Sequence, residues 1–442
     1  MADTKKIQPD LSFIRGVMAA GGDTVNKCYQ CATCSVICPL STEDRPFPRK
    51  EMLWAQWGLA DKIAGDADVW LCHQCGDCSA YCPRDAKPGD VLGAIRINAI
   101  KHYAEPKALA DLLSNTAGVL GTVIAAFVIW YIVAFLWNLV HPVDMHGNMI
   151  SFPFPDGDVD YHKYFTFIPI DIVVLPVVGL VAWASYKGVT NFWADISKGS
   201  GIVSYTGTGP HPPLGILFTK YGIPAFQEIL AHKRFEECGQ TAERAKGHKL
   251  LLWSFIMLFI VTTVVFILND VIYVPFLHEE FTPMPQWNPI KIFANIAAIM
   301  LVVGAWLIIK MRKQKTAEGV LKSSEQDWIL VWLIFAVGAT GIAAELFRLM
   351  NIAGIAYPTY VLHLATVVTL FLAVPYSKFA HLLYRTTAYV YQRYEDDMKA
   401  GKAGFGLEVP VKPVGPPPAE EAEEEKAEGA EEAAEETKEE KS

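Results

Sequence analysis

The start of this sequence lacks an export signal. Met1 to Asn26 is polar and contains no uninterrupted apolar stretch, which a secretory signal peptide requires. Disulfides form in oxidising compartments, so the missing signal argues against them. The cysteines also lack zinc-site spacing, because structural zinc usually takes two short Cys or His pairs separated by a longer spacer. We therefore expect a cytoplasmic cysteine-rich segment that neither binds zinc nor forms disulfides.

Two copies of one cysteine pattern lie near the start of the chain. Each reads C-x2-C-x2-C-x3-C-P, the run that holds cubane iron–sulfur clusters in bacterial-type ferredoxins. Its first three thiolates wrap one cluster, and the fourth, stiffened by the following proline, ligates the other. The predicted ligand sets are Cys28, Cys31, Cys34 and Cys82 for the first cluster, and Cys72, Cys75, Cys78 and Cys38 for the second. The pattern predicts two [4Fe–4S] clusters and electron transfer, and it leaves Cys238 as a free thiol.

Charged residues are scarce along most of the remaining chain. Hydrophobic residues make up 52% of the sequence, which favours a membrane protein. A bilayer core of about 30 Å requires about 20 apolar residues of helix, and six stretches reach that length. They are residues 117–140, 164–186, 250–274, 290–309, 328–350 and 359–383.

Lysine and arginine are almost absent from the loops after spans one and three. The loops after spans two and four are basic, with Lys233 and Arg234 in the first and four cations within residues 310–315 in the second. By the positive-inside rule, the basic loops face the cytoplasm. We therefore expect a multi-pass protein of the cytoplasmic membrane, with both termini and the cluster domain inside.

The polar parts of the chain divide into a helical beginning and an acidic end. Apolar residues recur at helical spacing within residues 49–61 and 91–103, between and after the cysteine runs. Residues 419–442 contain twelve Glu and three Lys after a proline-rich linker, a composition typical of disorder. The expected chain is all-α, with a helical ferredoxin-like domain at residues 1–110, a transmembrane cytochrome b domain at 111–395 and a disordered tail at 396–442.

Two histidines lie five helical turns apart in span six. His363 and His381 are separated by eighteen residues, which puts both on one helix face about 27 Å apart along the axis. That separation suits two b-type haems, one near each membrane surface, because neutral imidazole is a common axial ligand. His248 begins span three at the depth of His381. The sequence thus predicts an inner haem held by His248 and His381.

The predicted outer haem would be held by His363 and a second histidine from the outer surface. Four candidates are available there, and His162, just before span two, is preferred. They are His141, His146, His162 and His278. An alternative is a single haem, with His363 contributing to a quinone site instead.

Three charged residues fall at the outer depth of the spans. They are Asp171 in span two and Glu345 and Arg348 in span five. An intramembrane charge costs about 2.5 to 3.5 kcal/mol, and a carboxylate beside a haem can accept the proton released by a quinol. These residues are the candidate quinone site. The alternative is that Glu345 and Arg348, three residues apart, only pair with each other.

The sequence of span six resembles a known family. Residues 361–381 are similar to the last helix of the nitrate reductase gamma subunit family, in the histidine spacing and in the Pro-aromatic-Ser turn. The resemblance implies a five-helix fold over spans two to six that binds two b haems. It matches His248 to the first histidine of the other ligand helix, whereas the position of the second is occupied by Leu258.

The cysteine-rich part resembles the C subunit of heterodisulfide reductase, including the segments Pro48-Arg-Lys50 and Trp70-Leu-Cys72. Its fusion to a haem b module is similar to the third subunit of the quinone-interacting membrane-bound oxidoreductase complex. That resemblance implies electron transfer between menaquinone and flavin- and iron–sulfur-containing partners related to the A subunit of heterodisulfide reductase, with adenylylsulfate reductase downstream in sulfate respiration. The alternatives are a membrane subunit of heterodisulfide reductase type and a haem-free iron–sulfur anchor or redox sensor.

Overall fold

The computed structural model describes residues 8–141, 158–163, 167–199, 214–232, 243–277, 281–320 and 322–400. Every regular element within these ranges is a helix, so the prediction of an all-α chain is confirmed. Cys238, His146 and His278 lie outside the described residues, and so does the predicted tail beyond residue 400.

The described residues of the cysteine-rich part form eight α-helices, most of them short. They are α1 (Leu11–Val17), α2 (Thr33–Ile37), α3 (Arg49–Gln56), α4 (Ala60–Ala64), α5 (Asp68–Leu71), α6 (Asp77–Ala80), α7 (Pro88–Tyr103) and α8 (Lys107–Leu112). Asp10 caps α1 by accepting hydrogen bonds from the backbone N–H groups of Ser12 and Phe13. Pro88 begins α7, at a position where its missing N–H leaves no helical bond unmade. Because most of these helices are short, a shared apolar core stabilises them rather than helix propensity.

Six further helices are long and apolar enough to cross a membrane, which confirms the predicted bundle. They are α9 (Thr116–Val140), α10 (Phe167–Gly199), α13 (Arg244–Phe266, continued by a π-helix over Ile267–Leu277), α14 (Pro289–Ala317), α15 (Glu325–Leu349) and α16 (Ala353–Ala373). The shorter helices α11 (Leu214–Ile216) and α12 (Ile223–Ala231) precede α13, and α17 (His381–Lys399) follows α16. Large apolar side chains such as Leu136, Ile172 and Phe259 remain exposed on the bundle, which suits contact with lipid.

Aromatic side chains join the cysteine-rich helices to one end of the bundle. The ring of Trp70 lies 4.9 Å from that of Tyr384 on α17 and 6.0 Å from that of Phe192 on α10. Tyr103 lies 5.5 Å from Phe192 and donates a hydrogen bond to Asp195. Such pairs contribute about 0.5 to 1.5 kcal/mol each beyond the burial of their area. We call this end of the bundle the cluster end, and the opposite one the far end.

The predicted sixth span is two helices rather than one. Helix α16 ends at Ala373, and α17 begins only at His381. Pro375 has no N–H with which to continue the helix, and Ser377 is extended, with its hydroxyl accepting from the N–H of Phe379. The prediction that His363 and His381 share one face of a continuous helix is therefore wrong.

His363 also lies deeper in the bundle than predicted. Helix α16 begins at Ala353 rather than at residue 359, so His363 falls midway between its ends instead of near its outer start. The imidazole packs directly over Gly341 of α15, where an added Cβ would come within 2.9 Å of the ring. The glycine is what allows α15 and α16 to approach each other at the level of His363.

Candidate redox centres

The first cysteine loop gathers four sulfurs around one concave site. Cys28, Cys31 and Cys34 line it together with Cys82 from the second run. Gln30 and Ala32 take left-handed conformations, with φ of 60° and 68°, and these turns direct successive cysteines to the same side. Successive backbone N–H groups in such turns also favour anionic clusters.

The second loop repeats this arrangement with Cys72, Cys75, Cys78 and Cys38. Gln74 and Gly76 supply the left-handed turns, with φ of 53° and 89°. Burial raises the pKa of Cys38 to about 12, and the neighbouring sulfurs of Cys72 and Cys75 contribute to that rise. In the first loop, burial followed by Cys28 and Cys31 raises the pKa of Cys34 to about 11.

These raised pKa values fit metal-binding sites, because several thiolates are stable together in a buried place only when cations compensate their charge. The groupings match the two predicted ligand sets, including the exchange of the fourth cysteine between the runs. The eight cysteines of the runs form no disulfide among themselves in the described part of the chain. The two ligand sets nevertheless stay predictions.

Two arginines contact the second loop, and one of them, Arg244, joins it to the bundle. Arg96 of α7 lies 3.4 Å from the carbonyl oxygen of Cys72 and 3.7 Å from its sulfur. Arg244, at the start of α13, donates to the carbonyl oxygens of His73 at 2.5 Å and Gln74 at 3.3 Å. A hydrogen bond to a cluster sulfur stabilises negative charge on it, so Arg96 is a group that can tune the second site.

His248 and His381 face each other at the cluster end. Their ring centroids are 6.4 Å apart, and the ring planes are inclined by 69°. Two metal–imidazole bonds of about 2 Å, with half a ring beyond each nitrogen, place opposite ligands of one metal ion at about this separation. Nδ1 of His381 donates to the carbonyl oxygen of Lys378 at 2.7 Å, which leaves Nε2 with its lone pair. The pair therefore fits an axial haem site.

The cavity beside these histidines suits a large apolar ring that carries acidic groups. Apolar side chains of α13 and α15 line it, and so do His73 and Gln74 of the second cysteine loop. Its charged residues are Arg96, Arg244, Arg312, Lys378, Arg385 and Asp327. Asp327 accepts from Lys378 and lies 3.2 Å from Arg312. The positive charges of Arg96, Arg244 and Arg385 in the same lining suit the carboxylates of a bound group.

A third histidine, His232, which the sequence reasoning missed, contacts His248 on the side of its Nδ1 atom. Nε2 of His232 lies 2.9 Å from Nδ1 of His248. Burial lowers the pKa of His232 below its usual value, which favours the neutral ring. His232 follows α12, outside the apolar stretches, so no periodicity pointed to it. Its position sixteen residues before His248 in a polar loop was the only available signal.

The predicted outer pair is not brought together in the described residues. Nδ1 of His363 lies 3.2 Å from the hydroxyl of Thr340, which itself donates to the carbonyl oxygen of Ala336. His162 instead contacts the hydroxyl of Thr282 at 2.7 Å. Leu258 is packed among apolar side chains. An outer haem held by His363 and a second histidine thus stays a prediction.

The charged residues of the candidate quinone site lie at the far end in two places. Glu345 accepts hydrogen bonds from Lys291 and Gln286, and Arg348 lies 3.7 Å from its carboxylate. Asp171 lines a lipid-facing groove on α10. The pairing that was the alternative explanation for Glu345 and Arg348 is present, with Lys291 as an additional partner.

Comparisons with known proteins match two separate parts of the chain. Residues 24–86 match the family described as 4Fe-4S dicluster domain, and residues 225–403 match the family described as Citrate utilization protein B. The second match contains His232, His248, His363 and His381, but not His162. Each match covers less than half of the chain.

Three curated proteins are similar to parts of the chain. Citrate utilization protein B of Escherichia coli is 24% identical over 297 residues, which is 66% of this chain and 71% of that protein. The C subunit of H(2):CoB-CoM heterodisulfide,ferredoxin reductase is 37% identical over 92 residues, both in Methanothermobacter marburgensis and in Methanothermobacter thermautotrophicus. That is 21% of this chain and 50% of each of those proteins. No solved structure matches the chain.

These matches decide the coarse function. The chain is an iron–sulfur electron-transfer protein. Its ferredoxin-like domain is similar to the C subunit of heterodisulfide reductase, as the sequence predicted, and a helical region of membrane-spanning length follows it. The resemblance of span six to the nitrate reductase gamma family stays a prediction.

Proposed function

We propose that the protein is the membrane subunit of a quinone-linked oxidoreductase and transfers electrons between menaquinone and soluble partner subunits. Two [4Fe–4S] clusters and haem b are the proposed carriers. The observation that carries the proposal is a shared cavity: the loop of Cys72 and Cys75 and the facing imidazoles of His248 and His381 border the same space. A centre held by the cysteines is thereby adjacent to one held by the histidines.

Each proposed centre has a defined protein environment. The two cysteine sets would hold the clusters, and His248 and His381 would hold the inner haem, which when bound supplies one-electron ferric/ferrous chemistry. Arg96, Arg244 and Arg385 would balance the carboxylates of the macrocycle. The apolar side chains of α13 and α15 exclude water from the site and thereby affect its potential.

The proposed quinone site lies at the far end, near Glu345. Its carboxylate is kept in place by Lys291, Gln286 and Arg348 and can accept a proton from a quinol, while the cations can bind the quinone oxygens. Thr340, which contacts His363, precedes Glu345 by five residues of α15, or about 7.5 Å along the axis. His363 is accordingly the proposed ligand of a second haem between this site and the inner haem.

The proposed orientation puts the cluster end in the cytoplasm, as the basic loops predict. The partners would then be soluble flavin- and iron–sulfur-containing proteins related to the A subunit of heterodisulfide reductase. The similarity to the C subunit of that reductase supports such a complex. Sulfate respiration, with adenylylsulfate reductase as the downstream enzyme, is the setting that we propose.

A second candidate differs in its partner. The match to Citrate utilization protein B extends over 66% of the chain, and the family of that name matches residues 225–403. It favours a redox step connected with citrate use instead of sulfate respiration. Purified protein reconstituted with each candidate soluble partner distinguishes the two: the physiological partner reoxidises the reduced clusters, and the other does not.

The experiment that tests the proposal counts cofactors in anaerobically purified full-length protein. Iron and acid-labile sulfide should correspond to two cubane clusters, and a pyridine haemochrome spectrum should show b haem. His381→Ala should remove the inner haem, because its imidazole provides one of the two ligands. His102→Ala, which alters a histidine of the cysteine-rich part away from the proposed ligands, should leave the spectrum unchanged. Wild-type protein without haem would leave only the haem-free anchor or sensor.

A further inference from the structure

His232 is held in a conformation that histidine adopts only rarely. It ends α12 with φ of 55° and ψ of 26°, in the left-handed region, and its residue surface is 6% exposed. A non-glycine residue in this region usually costs free energy, so the surrounding contacts must determine the conformation. Those contacts include a backbone carbonyl on one side of the ring and His248 on the other.

The hydrogen bonds assign a tautomer to each ring. Nδ1 of His232 lies 3.2 Å from the carbonyl oxygen of Leu230, which can only accept, so Nδ1 carries the hydrogen. In a neutral ring Nε2 then has a lone pair and accepts from Nδ1–H of His248 at 2.9 Å. Nε2 of His248 is left with its lone pair, as a metal ligand requires. His381 is oriented in the same way, but by the carbonyl oxygen of Lys378.

We propose that His232 is a positioning residue that orients His248 and increases its electron donation to the inner haem. The inference deepens the proposed function and rests on the assignment of His248 and His381 as ligands. Imidazole nitrogen is a stronger base than a peptide carbonyl oxygen. His248 therefore gains more anionic character than His381, and this stabilises the ferric form and lowers the reduction potential.

The surroundings of His232 favour this role over simple packing. The side chains that share its pocket include Glu228, Ile229, His248, Arg385 and Tyr389. Glu228 is paired with Arg393 at 2.5 Å, and the hydroxyl of Tyr389 accepts from Arg385 at 2.9 Å. Both polar groups are thus engaged elsewhere, whereas His232 contacts the proposed ligand directly.

The test measures the haem content and the midpoint potential of full-length protein in lipid nanodiscs. Two variants are compared: His232→Leu removes the acceptor, and His232→Gln keeps an amide oxygen that is a weaker acceptor. His232→Leu should retain the inner haem and shift its ferric/ferrous ratio about tenfold toward ferrous at the wild-type midpoint, which is about 59 mV for one electron. His232→Gln should shift it in the same direction but less. Ile229→Val, which changes an apolar side chain of the same pocket, should have the wild-type potential.

Three results would overturn the proposal. The first is a wild-type potential in both His232 variants. The second is loss of the inner haem in both His232 variants while His248→Ala retains it, which would make His232 the ligand. The third applies if His232→Leu does not assemble: His232→Gln is then the only variant measured, and a wild-type potential in His232→Gln overturns the proposal. Wild-type protein without haem would instead refute the proposed function.

Discussion

Replacing Lys50 with methionine should destabilise the cysteine-rich helices at their contact with α17. Nζ of Lys50 lies 2.6 Å from Asp68 and 3.3 Å from both Asp66 and Glu51, whose side chains are 11%, 8% and 0% exposed. Burial lowers the pKa of Lys50, but Asp66, Glu51 and Asp68 together raise it above its usual value. Removing one partner of a buried ionic group costs about 3 to 5 kcal/mol, because the other charges stay buried without compensation.

Hydrogen exchange measured by mass spectrometry on peptides covering residues 49–71 reports this loss locally. At about 1.4 kcal/mol per factor of ten, exchange in Lys50→Met should be about two to four orders of magnitude faster. Lys322→Met provides the matched control. It breaks a pair with Asp23 in which both side chains are 54% exposed, and such a pair is worth about 0 to 1 kcal/mol.

The loss of stability caused by Lys50→Met, called the deficit below, should also depend on pH, and the direction of this dependence follows from the pKa values of the carboxylates. Burial, followed by the other carboxylates, already raises the pKa of Glu51 and Asp66 above their usual values of 4.5 and 3.8. The folded state then binds more protons than the unfolded state, so stability falls as pH rises from those values through the folded pKa. Without the lysine these pKa values rise further, and the deficit should be larger at pH 7 than at pH 5. Wild-type exchange at pH 7, or a deficit that grows on acidification, would refute this reasoning.

Three other predictions address the redox centres. Cys82→Ser should reduce the content of the first cluster but spare the second, since Cys82 groups with Cys28, so iron and sulfide analysis should find about half of the wild-type content. Loss of the second cluster with the first retained, seen by electron paramagnetic resonance, would contradict the exchange of ligands. Glu345→Gln should slow quinol-driven haem reduction at least tenfold, because an amide cannot accept the proton of the quinol; stopped-flow spectroscopy that finds an unchanged rate would reject the role. Arg244→Ala should broaden the electron paramagnetic resonance signal of the second cluster, because it frees the carbonyl oxygens of His73 and Gln74, and an unaltered line shape would count against that anchor.

Spacing rules anticipated those parts of the molecule that are determined locally. The positions of the cysteines in each run indicated which sulfurs lie together, since the turns between them are short. Apolar length gave six spans, although polar first and last turns extend several of them, as in α10, which continues to Gly199. An apolar stretch of sequence marks the part of a helix that can contact lipid. It therefore misses the polar turns by which the helix continues at either end.

The interruption before His381 and the contact of His232 were not accessible in this way. Pro375 was visible in the sequence, but whether a membrane helix kinks or ends at proline depends on the neighbouring helices that satisfy the freed carbonyls. His232 meets His248 only because α12 folds back against the start of α13 and α17. Such a contact is tertiary, and no local pattern encodes it.

The aromatic junction of Trp70, Phe192 and Tyr384 has a consequence for turnover. Four ring contacts, two of Trp70 and two of Tyr103, hold the cysteine-rich helices against α10 and α17. A mobile redox domain must diffuse between its electron donor and acceptor, so the rate of electron transfer depends on solvent viscosity. Here the cysteine-rich helices are held against the bundle, so the distance between the proposed redox centres stays constant. Adding glycerol should therefore leave the internal rate as it is, and only the docking of soluble partners should slow down.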